Sequence, residues 1–215
     1  MFCACRATNP LAAMRTWQIP WLCAYLVASA TTALAGGFQW LAGGEKWTPP
    51  AGTASSASID ALVTAEYYGV EALKLWDFDG RTCSMQLEQS SFNAPSPHPN
   101  DPVRFCEPKQ TQAWKRADVG SGNFVRSISV CTALKAGTGE IRGVELWGAA
   151  IDGSGKLKPA KDSVKLEFTH CEKWSARRDC PAGSIATGIR AHTADADVGA
   201  VGLALRCHAI APSKP

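Results

Sequence analysis

The side chains that could do chemistry are few and scattered. His98, His170, His192 and His208 stand apart, with neither the His-x-x-x-His nor the His-Glu-x-x-His spacing that brings two imidazoles to one metal ion. No Gly-x-Ser-x-Gly elbow, phosphate loop or dinucleotide fingerprint follows residue 35. The expectation is no catalytic residue, no metal and no cofactor. Two acidic glycine turns, Asp77-Phe78-Asp79-Gly80 and Asp152-Gly153-Ser154-Gly155, have the look of calcium loops. Neither is followed by the closing bidentate Glu, and Leu75 and Ala150 stand at their first ligand positions, so both read as hairpin turns.

Tryptophan carries the stronger signal. An indole offers a flat apolar face and one N–H handle, which suits the apolar side of a pyranose, while carboxylates suit its hydroxyls. Trp76 and Trp147 each follow an apolar strand, and Asp195 and Asp197 precede a third strand of the same kind. These four residues are the candidate ligand-binding set. The competing role for the two indoles is to cap the core. Trp47, Trp114 and Trp174, which each open a repeated pattern, are assigned to the core.

The first 35 residues read as an export leader. Arg15 precedes the apolar run Trp17 to Ala30, and Ala33-Leu34-Ala35 offers a small-x-small cleavage site before Gly36. Pro20 interrupts the run, which leaves it short of the roughly 20 apolar residues that span a bilayer. Met14 already begins a well-formed leader and is a candidate true start. No membrane span is expected in the mature chain. Of the 22 basic residues, Arg6 and Arg15 leave with the leader, so 20 face 19 acidic ones and the net charge falls from +3 to +1. That balance argues against nucleic acid or a surface held by charge alone.

Cys3, Cys5 and Cys23 also leave, and six cysteines remain: Cys83, Cys106, Cys131, Cys171, Cys180 and Cys207. An even number in an oxidising compartment reads as disulfides, with fifteen pairings open. A Pro-rich loop over residues 92–102 is bracketed by Cys83 and Cys106, a sensible pair to clip its ends.

The elements that must hold these residues are strands. Short alternating runs bounded by Gly, Pro, Ser and Asp recur, the cleanest being Val164-Lys165-Leu166-Glu167-Phe168-Thr169. Ser58 to Glu71 is the one segment that could be helical, and it is read as strand, loop, strand. A pattern recurs three times: Trp47 leads to Leu73-Lys74-Leu75-Trp76, Trp114 to Val144-Glu145-Leu146-Trp147, and Trp174 to Leu203-Ala204-Leu205-Arg206. The separations from leading Trp to last Leu are 28, 32 and 31 residues. Units of about 40–91, 107–170 and 171–210 follow, within one domain over 36–215. Three like sheets fit a prism, because propellers need at least four blades.

The last third, WSARRDCPAGSIATGIRAHTADADVGAVGLALRC, resembles the vitelline membrane outer layer protein family. Trp174, Cys180, Pro181 and Gly183 match the opening of its repeat, and Gly202, Leu203, Leu205, Arg206 and Cys207 match its close. Only Asp197 falls on the family's acidic pair. The resemblance implies an all-β fold, a three-unit β-prism of Greek-key antiparallel sheets. It further implies a Cys180–Cys207 bridge across one sheet, which leaves Cys131 for Cys171. The leading expectation is a secreted, extracellular or periplasmic, non-catalytic protein that binds an extracellular or envelope glycan. The alternatives are a structural or protein-interaction component of an extracellular layer, and a hydrolase or transferase acting on amino-sugar polymers.

Overall fold

The computed structural model describes residues 37–78, 81–106, 113–133, 139–194 and 199–213. These residues form sixteen strands and no helix. The chain begins with β1 (Phe38–Trp40), β2 (Lys46–Trp47), β3 (Ala51–Gly52) and β4 (Ala57–Leu62). It continues with β5 (Tyr68–Phe78), β6 (Arg81–Ser91), β7 (His98–Pro99), β8 (Val103–Arg104) and β9 (Ala113–Asp118). Then come β10 (Asn123–Thr132), β11 (Ile141–Ile151), β12 (Leu157–Glu167), β13 (Lys173–Trp174) and β14 (Arg178–Asp179). The last two are β15 (Ser184–Thr193) and β16 (Ala200–Pro212).

Three antiparallel sheets result, each a Greek key built on a long hairpin. In sheet B the hairpin is β5–β6; β7 and β8 lie beside β6, and β9 returns beside β5. In sheet C it is β10–β11, with β12 beside β11 and with β13 and β14 returning beside β10. Sheet A is assembled from both ends of the chain: the hairpin β15–β16 takes β1, β2 and β3 beside β16 and β4 beside β15. The expected all-β, three-sheet Greek-key prism is therefore what the chain forms.

The inner faces meet in one core. Leu73, Leu75 and Leu87 from sheet B, Ile128, Val130 and Leu146 from sheet C, and Ile189, Leu203 and Leu205 from sheet A are all buried in it. Period-two alternation puts these side chains inward and their sequence neighbours outward. The first strand of each hairpin carries one extra residue: Glu71 in β5, Arg126 in β10 and Thr187 in β15. Such bulges sharpen the twist that lets each sheet curl around the shared core.

The sheets divide the chain differently from the sequence units. Each unit opens in one sheet and closes in the next: Trp47 is in sheet A and Trp76 in sheet B, Trp114 in B and Trp147 in C, Trp174 in C and Arg206 in A. Alternating apolar residues mark any strand of a buried hairpin and do not say which hairpin it joins. The Pro-rich loop supplies β7 as a short sheet edge, where Pro99 needs no donor. Ser58 to Glu71 is strand, loop and strand, as expected.

Disulfides join Cys83 to Cys106, Cys131 to Cys171 and Cys180 to Cys207, with Cα separations of 5.0, 5.5 and 5.6 Å. The first two lie within sheets B and C. The third has the expected partners in a different place: Cys180 follows β14 of sheet C and Cys207 lies in β16 of sheet A, so the bridge ties two sheets.

Candidate functional site

The outer face of sheet B carries Trp114, the most exposed large hydrophobic side chain among the described residues. Trp76 on β5 and Trp114 on β9 are direct cross-strand partners, and Trp114 is 55% exposed. Lys74, two residues before Trp76, shares that face and places its ammonium 4.8 Å from the Trp76 ring centre and 3.9 Å from that of Trp114. The local cause is the alternation Leu73-Lys74-Leu75-Trp76, whose leucines are fully buried and so turn Lys74 and Trp76 outward. Next along the face, Arg116 binds Glu88 through both carboxylate oxygens and also pairs with Asp118. Two flat rings with adjacent charged groups can stack on a sugar and bond its hydroxyls.

The other sheets also carry tryptophan on their outer faces, but there the rings sit under neutralised cations. Trp147 on β11 lies beneath the Arg177 guanidinium at 4.5 Å, and Arg177 is bonded to Asp179 and Ser127. Trp174 faces the Lys165 ammonium at 4.9 Å, which pairs with Glu145. Trp47 lies under Arg190 at 4.0 Å, a residue that grips both oxygens of Asp60. Hydrogen bonding by Arg190 holds the Asp60 carboxyl below its usual range despite partial burial. The Trp47 Nε1 donates to Glu45, whose other oxygen accepts from Arg206 at 2.7 Å.

The sequence-derived set is thus not one site. Trp76 and Trp147 are on different sheets, and Asp195 and Asp197 lie outside the described residues. Trp47, Trp114 and Trp174 are not core residues, a correction to the expectation: all three flank hairpins on the solvent side, where a cation covers each ring. Trp114 is the residue missing from that set, although the sequence carries a signal for it. In Ala113-Trp114-Lys115-Arg116-Ala117-Asp118, Trp114 shares parity with Arg116 and Asp118, while Ala117 is fully buried.

The glycine turn at Asp152 is closed by hydrogen bonds to its own side chain. Its carboxylate accepts from the Ser154 hydroxyl and from the backbone N–H groups of Ser154 and Lys156, which holds its pKa down to about 2. A cleft of about 440 Å³ with mixed polar and apolar walls lies between β4 and the β6–β8 edge, lined in part by Asp60, Leu62, Gln89, Asn100, Asp101 and Val103. Gln89 bonds Thr64 and the Asn100 Nδ2 donates to the Leu62 carbonyl, while the buried Asn100 Oδ1 has no hydrogen-bond partner among the described residues.

Solved structures share this architecture. Calsepa lectin in complex with a biantennary N-glycan is similar at 7% identity, with a TM-score of 0.52 over 76% of this chain and 95% of that one. The fold is a β-prism. The mannose-binding lectin from Champedak is also similar, at 12% identity and a TM-score of 0.48 over 78% of this chain and 99% of that one. Frutalin from Artocarpus incisa follows, at 11% identity and a TM-score of 0.47 over 75% and 94%. No protein-family model matches the chain, and no curated protein matches it. At these identities the likeness concerns the prism, while the outer-face tryptophans must be read on their own chemistry.

Proposed function

We propose that the mature chain is an exported, non-catalytic glycan-binding protein whose binding surface is the outer face of sheet B. One observation carries this reading: Trp76 and Trp114 stand side by side on a rigid antiparallel sheet, with Trp114 55% exposed. An exposed indole on a rigid strand can take a flat apolar partner at low entropic cost, and a pyranose face is such a partner. Export is supported by the leader pattern at Arg15 to Ala35 and by three disulfides, which persist in oxidising compartments. The resemblance of Trp174 to Cys207 to vitelline membrane outer layer proteins points to the same extracellular setting.

The test is a glycan array probed with the secreted wild-type protein and with Trp114→Ala. One lost stacking contact is worth about 1 kcal/mol, so the variant should bind its best glycan roughly five- to tenfold more weakly. Near-UV circular dichroism must show an otherwise unchanged fold. A folded wild type that binds nothing on the array, or a Trp114→Ala protein with undiminished binding, removes sheet B as the site. In the former case the structural-layer reading takes over.

A further inference from the structure

We propose that the sheet B face selects acidic saccharides, sugars that carry a single carboxylate per ring, with Lys74 as the residue that reads the charge. The inference rests on the glycan-binding reading above and narrows its ligand class. It comes from comparing the cations that stack on tryptophan. Arg206 faces Trp40 and pairs with Glu45; Arg190 faces Trp47 and pairs with Asp60. Arg177 faces Trp147 and pairs with Asp179; Lys165 faces Trp174 and pairs with Glu145. Lys74 lies between two indoles and has no carboxylate within salt-bridge distance among the described residues.

The difference is physical. Ring faces attract an ammonium but do not neutralise it, and the three donors of the group exceed what two π faces can occupy. For the other four tryptophan-facing cations the fold itself supplies the anion. Among the described residues, the carboxylates on the same face of sheet B, Glu88 and Asp118, are committed to Arg116. The anion position beside Lys74 is therefore left to a ligand, next to the surface on which a sugar ring would stack.

Charge density sets the class. Lys74, Arg116 and Arg104, which sits on β8 in the same cross-strand row as Trp76 and Ser84, face Glu88 and Asp118, so the face carries a net charge of only +1. A heavily sulfated chain or a nucleic acid would meet those two carboxylates and be repelled, whereas one carboxylate per sugar matches one ammonium. Uronic acids and sialic acids share this chemistry.

The experiment is an array that pairs neutral glycans with their uronic acid, sialic acid and sulfated counterparts, followed by titration of the best acidic glycan and its methyl ester. Wild type, Lys74→Met and Lys74→Arg are compared, with thermal melts as the folding control. The expected result is that the acid binds at least tenfold tighter than its ester to wild type. That ratio falls to within threefold in Lys74→Met and is largely kept in Lys74→Arg. Whether the uronic or the sialic arm gives the signal identifies the source of the carboxylate. Equal binding of acid and ester, preference for the sulfated arm, or an undiminished ratio in Lys74→Met overturns the inference while glycan binding itself stands. Silence of a folded protein across the whole array overturns the glycan-binding reading as well.

Discussion

At the scale of single residues, the prism buries a carboxyl that nothing fully satisfies. Glu71, the extra residue in β5, is 1% exposed and its Oε2 has no hydrogen-bond partner among the described residues. Burial raises its pKa above the usual 4.5, and the carboxylates of Asp118 and Glu88 push the same way against Ser90 and Arg116. A raised carboxyl pKa means that the folded state holds its proton more tightly than the unfolded chain does. Its contribution is therefore fully favourable below about pH 4.5 and is lost as pH rises through the folded pKa. Glu71→Gln removes that loss. The variant should melt about 2–4 °C above wild type at pH 7, the equivalent of ~1 kcal/mol, and the gap should close as pH approaches 4.5. Differential scanning calorimetry at several pH values checks this, and a gap that persists unchanged at low pH contradicts it.

At the scale of elements, a buried ion pair supports the contact between sheets B and C near their hairpin ends. Arg142 on β11 is 1% exposed and pairs with Asp77 at the end of β5. Its Nε donates to the Thr169 carbonyl at 2.8 Å, and its guanidinium faces the Phe168 ring. Beside it the Thr82 hydroxyl donates to the Ile141 carbonyl, again from sheet B to sheet C. Breaking one side of such a pair leaves an uncompensated buried charge, which is far worse than removing both. Asp77→Ala should cost about 3 kcal/mol in urea unfolding, the low end of the range because the Asp77 side chain keeps 16% exposure. Adding Arg142→Met to it should recover more than half of that loss. An additive double variant would show that the two side chains act independently. The same ion pair orders the strand end next to Trp76, so the stacking surface and the inter-sheet contact share a support.

For the whole molecule, closure is the governing feature. Sheet A takes its hairpin from the end of the chain and its flanking strands from the start, so the ring of sheets is complete only when the two ends meet. The Cys180–Cys207 bridge fastens sheet C to sheet A within the core and spans 27 residues of sequence. Replacing both cysteines by alanine should lower stability by about 3 kcal/mol, a shift in melting temperature of roughly 6–12 °C. The loss should appear as one cooperative transition moved to lower temperature. A separate early transition would mean instead that sheet A opens alone.

Strands and their buried faces are legible in the amino-acid sequence alone. Alternation in Val144 to Trp147 and Leu73 to Trp76 identifies them, because the period of a strand is local and is written in consecutive side chains. Cysteines flanking a proline-rich loop point to their pairing for the same local reason, and the bridge Cys83–Cys106 is there. Parity with Arg116 and Asp118 also places Trp114 on the solvent side, against the core position suggested by its place at the head of a repeat. What only the tertiary structure decided is which strands share a sheet. Trp76 and Trp114 are 38 positions apart and become neighbours because β9 returns to β5, a pairing set by closure of the Greek key. Whether a stacked cation has a carboxylate depends on the same long-range pairing: Arg190 and Asp60 are 130 residues apart, while Lys74 meets no carboxylate among the described residues. The strand faces are properties of consecutive residues; the binding surface is a property of strands brought together by the fold.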